Sequence, residues 1–264
     1  MSADWSPNYL YEKEKMAAKL KMPGGRKVAL ITGSGRRLGR KSALALAEDG
    51  WDIVVNYSRS ASEAAATVRE IAKLDIEAIA IRADIKNSKQ VDRMFRQVID
   101  HFGRLDLLVN NAAVFPPAKK FVDISDELWD SVISTNLTGQ FYCARAAAKV
   151  MAQRGGKIIN FASLGGLQVW QEHIAYNVAK AGVIMLTRAL SKALAPKITV
   201  NAIAPGTIMI PGEESGNIKH IDEAKIPLKR YGNSEDITRA LLYLAHADYV
   251  TGQILVVDGG RAVL

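Results

Sequence analysis

The stretch KVALITGSGRRLGRK, residues 27–41, decides the fold. KVALIT is a short, β-branched apolar run of the kind that forms a buried strand. It ends in a glycine turn, after which LGRKSALALAEDG resumes with helical spacing, with Gly50 as the expected stop. A strand, a glycine turn and a helix in that order make a phosphate cradle, because the helix N-terminus offers unpaired N–H groups and a positive dipole end. Yet Arg36 and Arg37 occupy the middle of the loop. Such cradles keep that place small so that backbone can approach a pyrophosphate. Either the loop is not a nucleotide site, or the arginines meet something that glycines cannot.

The same alternation continues along the chain. WDIVVNY (51–57), EAIAIRAD (77–84), LDLLVNNAA (105–113), GKIINFAS (156–163), KITVNAIAP (197–205) and QILVVDGG (253–260) read as strands. Helical patterns lie between them: 60–74, with Ser60 or Ser62 as cap, then 88–103, one long helix over 126–151, 173–195 and 234–246. Strands alternating with helices of this length imply βαβ units. Continuous apolar strands imply burial on both faces. The expectation is a single α/β domain over residues 26–264, a doubly wound Rossmann fold whose seven-stranded parallel sheet is flanked by helices. Residues 1–25 precede it as an arm, and 8–21 fit either a short amphipathic helix or an unstructured tail.

Composition narrows the function. With 264 residues and 48% hydrophobic content the chain can bury a large core. Its one cysteine, Cys143, excludes an intrachain disulfide and fits a cytoplasmic protein; its apolar helical surroundings mark a core residue. No apolar run is long enough for a membrane span, and the charged first residues do not read as a secretory signal. The net charge of +8 raises the possibility of nucleic-acid binding, but basic and acidic residues are intermixed except at Arg36, Arg37, Arg40 and Lys41. A small anionic ligand explains that run more economically. No metal site is expected, and neither a nucleic acid nor a membrane is expected as partner.

In a doubly wound sheet the ligand sits at the carboxyl ends of the strands. After the first come Thr32, Gly33, Ser34, Arg36, Arg37, Leu38 and Gly39, and after the second Asn56, Tyr57, Ser58 and Arg59. A carboxylate at position 56 would bind the ribose 2′-hydroxyl of NAD and repel a 2′-phosphate. An asparagine followed by a serine and an arginine favours NADP. Ala83, Asp84 and Ile85 follow the third strand, Asn111, Ala112 and Ala113 the fourth, Ser163 the fifth, and Pro205, Gly206 and Thr207 the sixth. Beyond Ser163 stand Tyr176 and, four residues on, Lys180, which therefore share a helix face. An ammonium beside a phenol is expected to lower the tyrosine pKa and make it a usable acid or base.

Together these motifs resemble the short-chain dehydrogenase/reductase family: TGxxxGxG in modified form at 32–39, Asp84, NNAA, Asn136 in TNLTG, Ser163, YNVAK at 176–180, Pro205-Gly206 with Thr207, and VDGG near the end. The resemblance covers residues 26–264. It implies hydride transfer between NADP(H) and a carbonyl carbon, and a homotetramer assembled through the helices over 126–151 and 173–195. It further implies that Tyr176 is the acid, that Ser163 orients the carbonyl oxygen, and that Lys180 bonds the nicotinamide ribose. Asn136 would hold a water that links Lys180 to solvent, or would serve only as a helix kink. Asp84 would meet adenine, Asn111 and Ala112 the adenosine ribose, and Thr207 the nicotinamide end.

Arg37 departs from the pattern, which has glycine there. TGxxxRLG, SRSASEA after the second strand, Phe115 and the VDGGRAVL ending resemble the pteridine-reductase-like branch, in which an aromatic residue stacks on the pterin. Ser163 instead matches the ordinary carbonyl reductases. The leading expectation is an NADPH-dependent 3-oxoacyl-thioester reductase. The alternatives are a pteridine reductase, a sugar or other alcohol dehydrogenase, and, least favoured, a non-enzymatic NADP sensor. Arg37, Ser58 and Arg59 are expected to face the 2′-phosphate, whereas Arg36 either joins them or only covers the loop. Phe115 either stacks on substrate with Ser163 and Tyr176 or merely packs its proline-containing loop.

Overall fold

The computed structural model describes residues 25–212 and 222–263, so the arm over 1–24, including the candidate helix at 8–21, lies outside the described residues. Seven strands form one sheet: β1 (Val28–Ile31), β2 (Asp52–Tyr57), β3 (Ala78–Arg82), β4 (Leu107–Asn110), β5 (Gly156–Phe161), β6 (Ile198–Pro205) and β7 (Ile254–Val257). Their order is β3-β2-β1-β4-β5-β6-β7, and every pairing is parallel. The chain works outward from β1 to β3, then returns to β4 on the other side of β1. The crevice that this reversal opens between β1 and β4 lies beside the glycine loop.

Alternate side chains of the central strand serve opposite layers. Ala29 and Ile31 pack with α1 (Arg37–Glu48), α2 (Ala61–Ala72) and α7 (Ser234–His246), where Leu46, Ile71 and Leu241 are fully buried. Val28 and Leu30 pack with α3 (Ser88–Phe102) and α5 (Gly139–Met151) through Met94, Cys143 and Met151. Burial on both faces is the reason that these strands read as unbroken apolar runs. Cys143 is a core residue, and burial pushes its thiol pKa well up.

One helix end meets the sequence expectation and two features differ from it. Gly50 follows the capping residue Asp49 and takes a φ of +88°, as a helix stop does. Ser60 caps α2 by position only, since its side chain makes no capping bond, and the Ser62 hydroxyl donates to Glu63 instead. The expected single helix over 126–151 is two helices, α4 (Asp126–Ile133) and α5, joined by one π turn at Ser134–Thr138. The next helix, α6, runs Ile174–Leu194. Among the described residues no helix is long and apolar enough to cross a membrane.

Candidate active site

The glycine loop is braced from beneath. Thr32 is fully buried; its hydroxyl donates to the Val109 carbonyl and accepts from the amides of Asn111 and Ala112. The Asn111 side chain donates to the carbonyls of Thr32 and Gly33. Gly39 makes room for this: a Cβ there would lie 2.4 Å from the Asn111 Nδ2 and 2.5 Å from the Gly33 carbonyl oxygen. The close approach that the motif demands is therefore to the tip of β4. Ser34 is also buried and donates to Ile31.

Asn56 faces inward, which corrects the picture of a residue presented to a ribose. Its Oδ1 accepts from the Gly33 amide, and its Nδ2 donates to the carbonyls of Ile81 and Ala83. All of these bonds lie within the protein, so the amide ties the loop to β2 and β3. Ser58 and Arg59, just beyond, are exposed, while Tyr57 is partly buried against the core. Of the four clustered cations, Arg40 is held by Glu70 of α2. Arg36 and Arg37 are exposed at the start of α1, whose first turn holds no acidic residue and whose capping residue, Arg36, makes no side-chain capping bond. Arg37 takes a φ of +52°, a left-handed conformation that glycine adopts freely and arginine does not.

The remaining loop residues are placed as follows. Asp84 accepts from the Lys86 amide, and Ile85 is buried against Gly139. Leu38 packs on the core and Ala113 is exposed. Past Pro205, the Gly206 amide bonds the Val257 carbonyl, and the Thr207 hydroxyl accepts from Arg261. Arg261 was not anticipated from the sequence.

Ser163, Tyr176 and Lys180 converge at the carboxyl end of β5. Ser163 follows the strand in extended conformation, and its hydroxyl accepts from the Gly165 amide at 3.1 Å. Burial raises the Tyr176 pKa above its ordinary value, and a hydrogen bond with Ser163 pulls partly the other way. The ring keeps some exposure while protein crowds the hydroxyl. Lys180 is 2% exposed and donates to the Phe161 carbonyl at 2.6 Å, with its Nζ 5.8 Å from the Tyr176 ring centre. Burial pushes the Lys180 pKa down to about 7. In this structure burial outweighs any lowering, and Tyr176 stands above its ordinary value instead of below it. An ammonium desolvated to this degree holds its charge only in part at neutral pH.

Asn136 sits in the π turn, fully buried, and its amide bonds the Val114 backbone both ways, each at 2.8 Å. The side chain is committed to fixing the Val114–Phe115 loop, and the residue stands in the π turn, at the helix kink that the sequence offered as its second reading. Phe115 lies 4.7 Å from Tyr176, edge to face, and stacks on His173 at 4.7 Å. Trp170 stacks on Tyr176 at 6.0 Å. Sequence reasoning missed Trp170 and His173, although their spacing of three and six residues before Tyr176 was visible.

A family model described as enoyl-(acyl carrier protein) reductase matches residues 33–262. The chain belongs to the short-chain dehydrogenase/reductase family. It is 42% identical over 241 residues to a 3-oxoacyl-[acyl-carrier-protein] reductase of Synechocystis sp., covering 89% of this chain and 97% of that one. It is 40% identical over 240 residues to the corresponding reductase of Staphylococcus epidermidis, with 89% and 98% covered. Among solved structures, acetoin dehydrogenase from Enterobacter cloacae superposes with a TM-score of 0.82 at 33% identity, covering 91% of this chain and 97% of that one. Membership makes the protein an oxidoreductase that acts on carbonyls.

Proposed function

We propose that the protein is an NADPH-dependent ketone reductase of the 3-oxoacyl-thioester type. The observation that carries the reading is the convergence of Ser163, Tyr176 and Lys180 beside a braced glycine loop with exposed arginines. The loop fits a dinucleotide. Gly39 lets the loop close on Asn111, the first turn of α1 holds no acidic residue, and Arg37, Ser58 and Arg59 give the β1–β2 edge a positive rim suited to a 2′-phosphate.

A bound NADPH would supply the hydride. Tyr176, kept protonated by burial, gives its proton to the carbonyl oxygen, and Ser163 holds that oxygen and stabilises its developing charge. Lys180 would hydrogen-bond the ribose beside the nicotinamide. Beside an anionic cofactor the lysine would regain the charge that burial lowers, and that charge would favour the phenolate left after proton transfer. Asn136 would hold a water that links Lys180 to solvent, though not through its side-chain amide, which is spent on Val114.

NADPH and NADH are to be offered side by side with acetoacetyl thioester, dihydrobiopterin and simple diketones. Turnover of the thioester with NADPH is the expected result; dihydrobiopterin as the better substrate would overturn the assignment.

The assembly that accompanies this reading is a homotetramer in the cytoplasm. Trp129, Phe141, Val178 and Met185, exposed along α4, α5 and α6, supply the apolar surface for it. Sedimentation that shows a monomer at micromolar concentration would contradict the tetramer.

A further inference from the structure

Three rings, Phe115, Trp170 and His173, gather beside Tyr176, and the most elaborately held of them is Trp170. Its carbonyl accepts from the His173 amide and from the Asn177 side chain, which fixes the backbone one turn ahead of Tyr176. Gly165 lies beneath the indole: a Cβ there would touch its Cε3 and Cζ3 at 3.0 Å. The Arg261 guanidinium lies 5.9 Å from the ring centre and bonds Thr207, which ties the indole to the segment after β6. The indole plane is within 10° of the Tyr176 ring. Phe115 stands at 88° to it, 41% exposed, with His173 stacked on Phe115.

Three polar atoms in this cluster, Trp170 Nε1, His173 Nδ1 and Asn177 Oδ1, are buried without a hydrogen-bond partner. Their burial closes them to a substrate, so what a substrate meets here is ring surface, such as that of Phe115, which is 41% exposed. The parallel rings of Trp170 and Tyr176, 6.0 Å apart, leave no space for a third between them, which would need about 7 Å at ordinary contact distance. A substrate therefore packs onto the box, not into a sandwich.

We propose that Trp170 is a specificity-determining residue and that the substrate is an aryl-substituted 3-oxoacyl compound. This rests on the ketone-reductase reading above and names its substrate class. The flat ring on the keto carbon packs against Phe115 and the partly exposed indole of Trp170. A ring-saturated group of the same carbon count loses the stacking and edge-to-face attraction, a difference of roughly 2- to 12-fold per ring pair.

The test compares ethyl benzoylacetate with its ring-saturated counterpart, using NADPH. The wild type is expected to favour the aryl ester at least fivefold in kcat/KM, mainly through KM. In Trp170→Ala that ratio falls to within twofold, and in Trp170→Phe it is largely retained. A merely structural tryptophan would lower both substrates equally and keep the ratio, and that result would overturn the proposal, as would a wild type without preference. If the wild type oxidises NADPH with neither ester, the reductase reading fails. The Trp170 assignment is then judged by calorimetric binding of the two esters in the presence of NADP. Tighter aryl binding that Trp170→Ala abolishes supports it, and equal binding sinks it.

Discussion

Tyr176→Phe should lower NADPH-dependent ketone reduction by about 10²–10⁴-fold while leaving NADPH affinity within about threefold, since the loss of a positioned proton donor has that cost. Phenylalanine keeps the ring, so the contacts with Phe115 and Trp170 survive and the helix has no new cavity to absorb. What disappears is the hydroxyl that Ser163 bonds. The measurement is kcat under saturating substrate, with cofactor binding followed separately by fluorescence. A loss of tenfold or less would remove Tyr176 from the role of acid. The pH profile gives a second reading. Burial holds the tyrosine above its ordinary value, so the acid form persists through neutral pH, and the group that burial brings to about 7 is Lys180. Since bound NADPH would raise the lysine back toward its ordinary range, the alkaline decline in reduction is expected to begin well above pH 7, and Tyr176→Phe should flatten it, because the lysine charge then has no phenolate to stabilise.

The layers of the fold were legible because parallel strands buried on both faces leave a strong mark in sequence. What escaped was set by contacts between distant segments. STNLT contains nothing that breaks a helix by propensity; the turn at Asn136 coincides with two bonds to Val114, 22 residues away. An asparagine after β2 looks the same in sequence whether it faces a ribose or, as Asn56 does, three backbone groups of the protein. The convergence of Ser163, Tyr176 and Lys180 was legible from their spacing, but their electrostatics were not. Whether a lysine depresses a neighbouring phenol depends on how much water it keeps, and the i, i+4 relation of Tyr176 and Lys180 says nothing about that. Trp170 and His173 offered a signal in their three-residue spacing ahead of Tyr176. Its meaning required the loop of Phe115 to be folded over them.

Arg37→Gly is expected to cut the preference for NADPH over NADH by roughly 10- to 150-fold, the equivalent of one charge-assisted hydrogen bond worth about 1.5–3 kcal/mol. The change should appear as a higher KM for NADPH, with NADH little affected. The backbone makes this substitution unusually clean. Arg37 holds a φ of +52°, where a side chain bearing a Cβ costs about 1–2 kcal/mol and glycine does not. Glycine in turn gives up about 0.5–1 kcal/mol of backbone entropy on folding. The two nearly offset, so the variant should melt within a few degrees of the parent. Arg37→Ala removes the same charge but keeps the strain; equal cofactor effects in the two variants would assign the preference to the guanidinium and not to loop geometry. Strained residues persist where a function holds them, and an arginine in a glycine's conformation at the rim of the cradle is such a case. If the NADPH preference survives both substitutions, the 2′-phosphate belongs to Ser58 and Arg59, and the strain at position 37 has another cause.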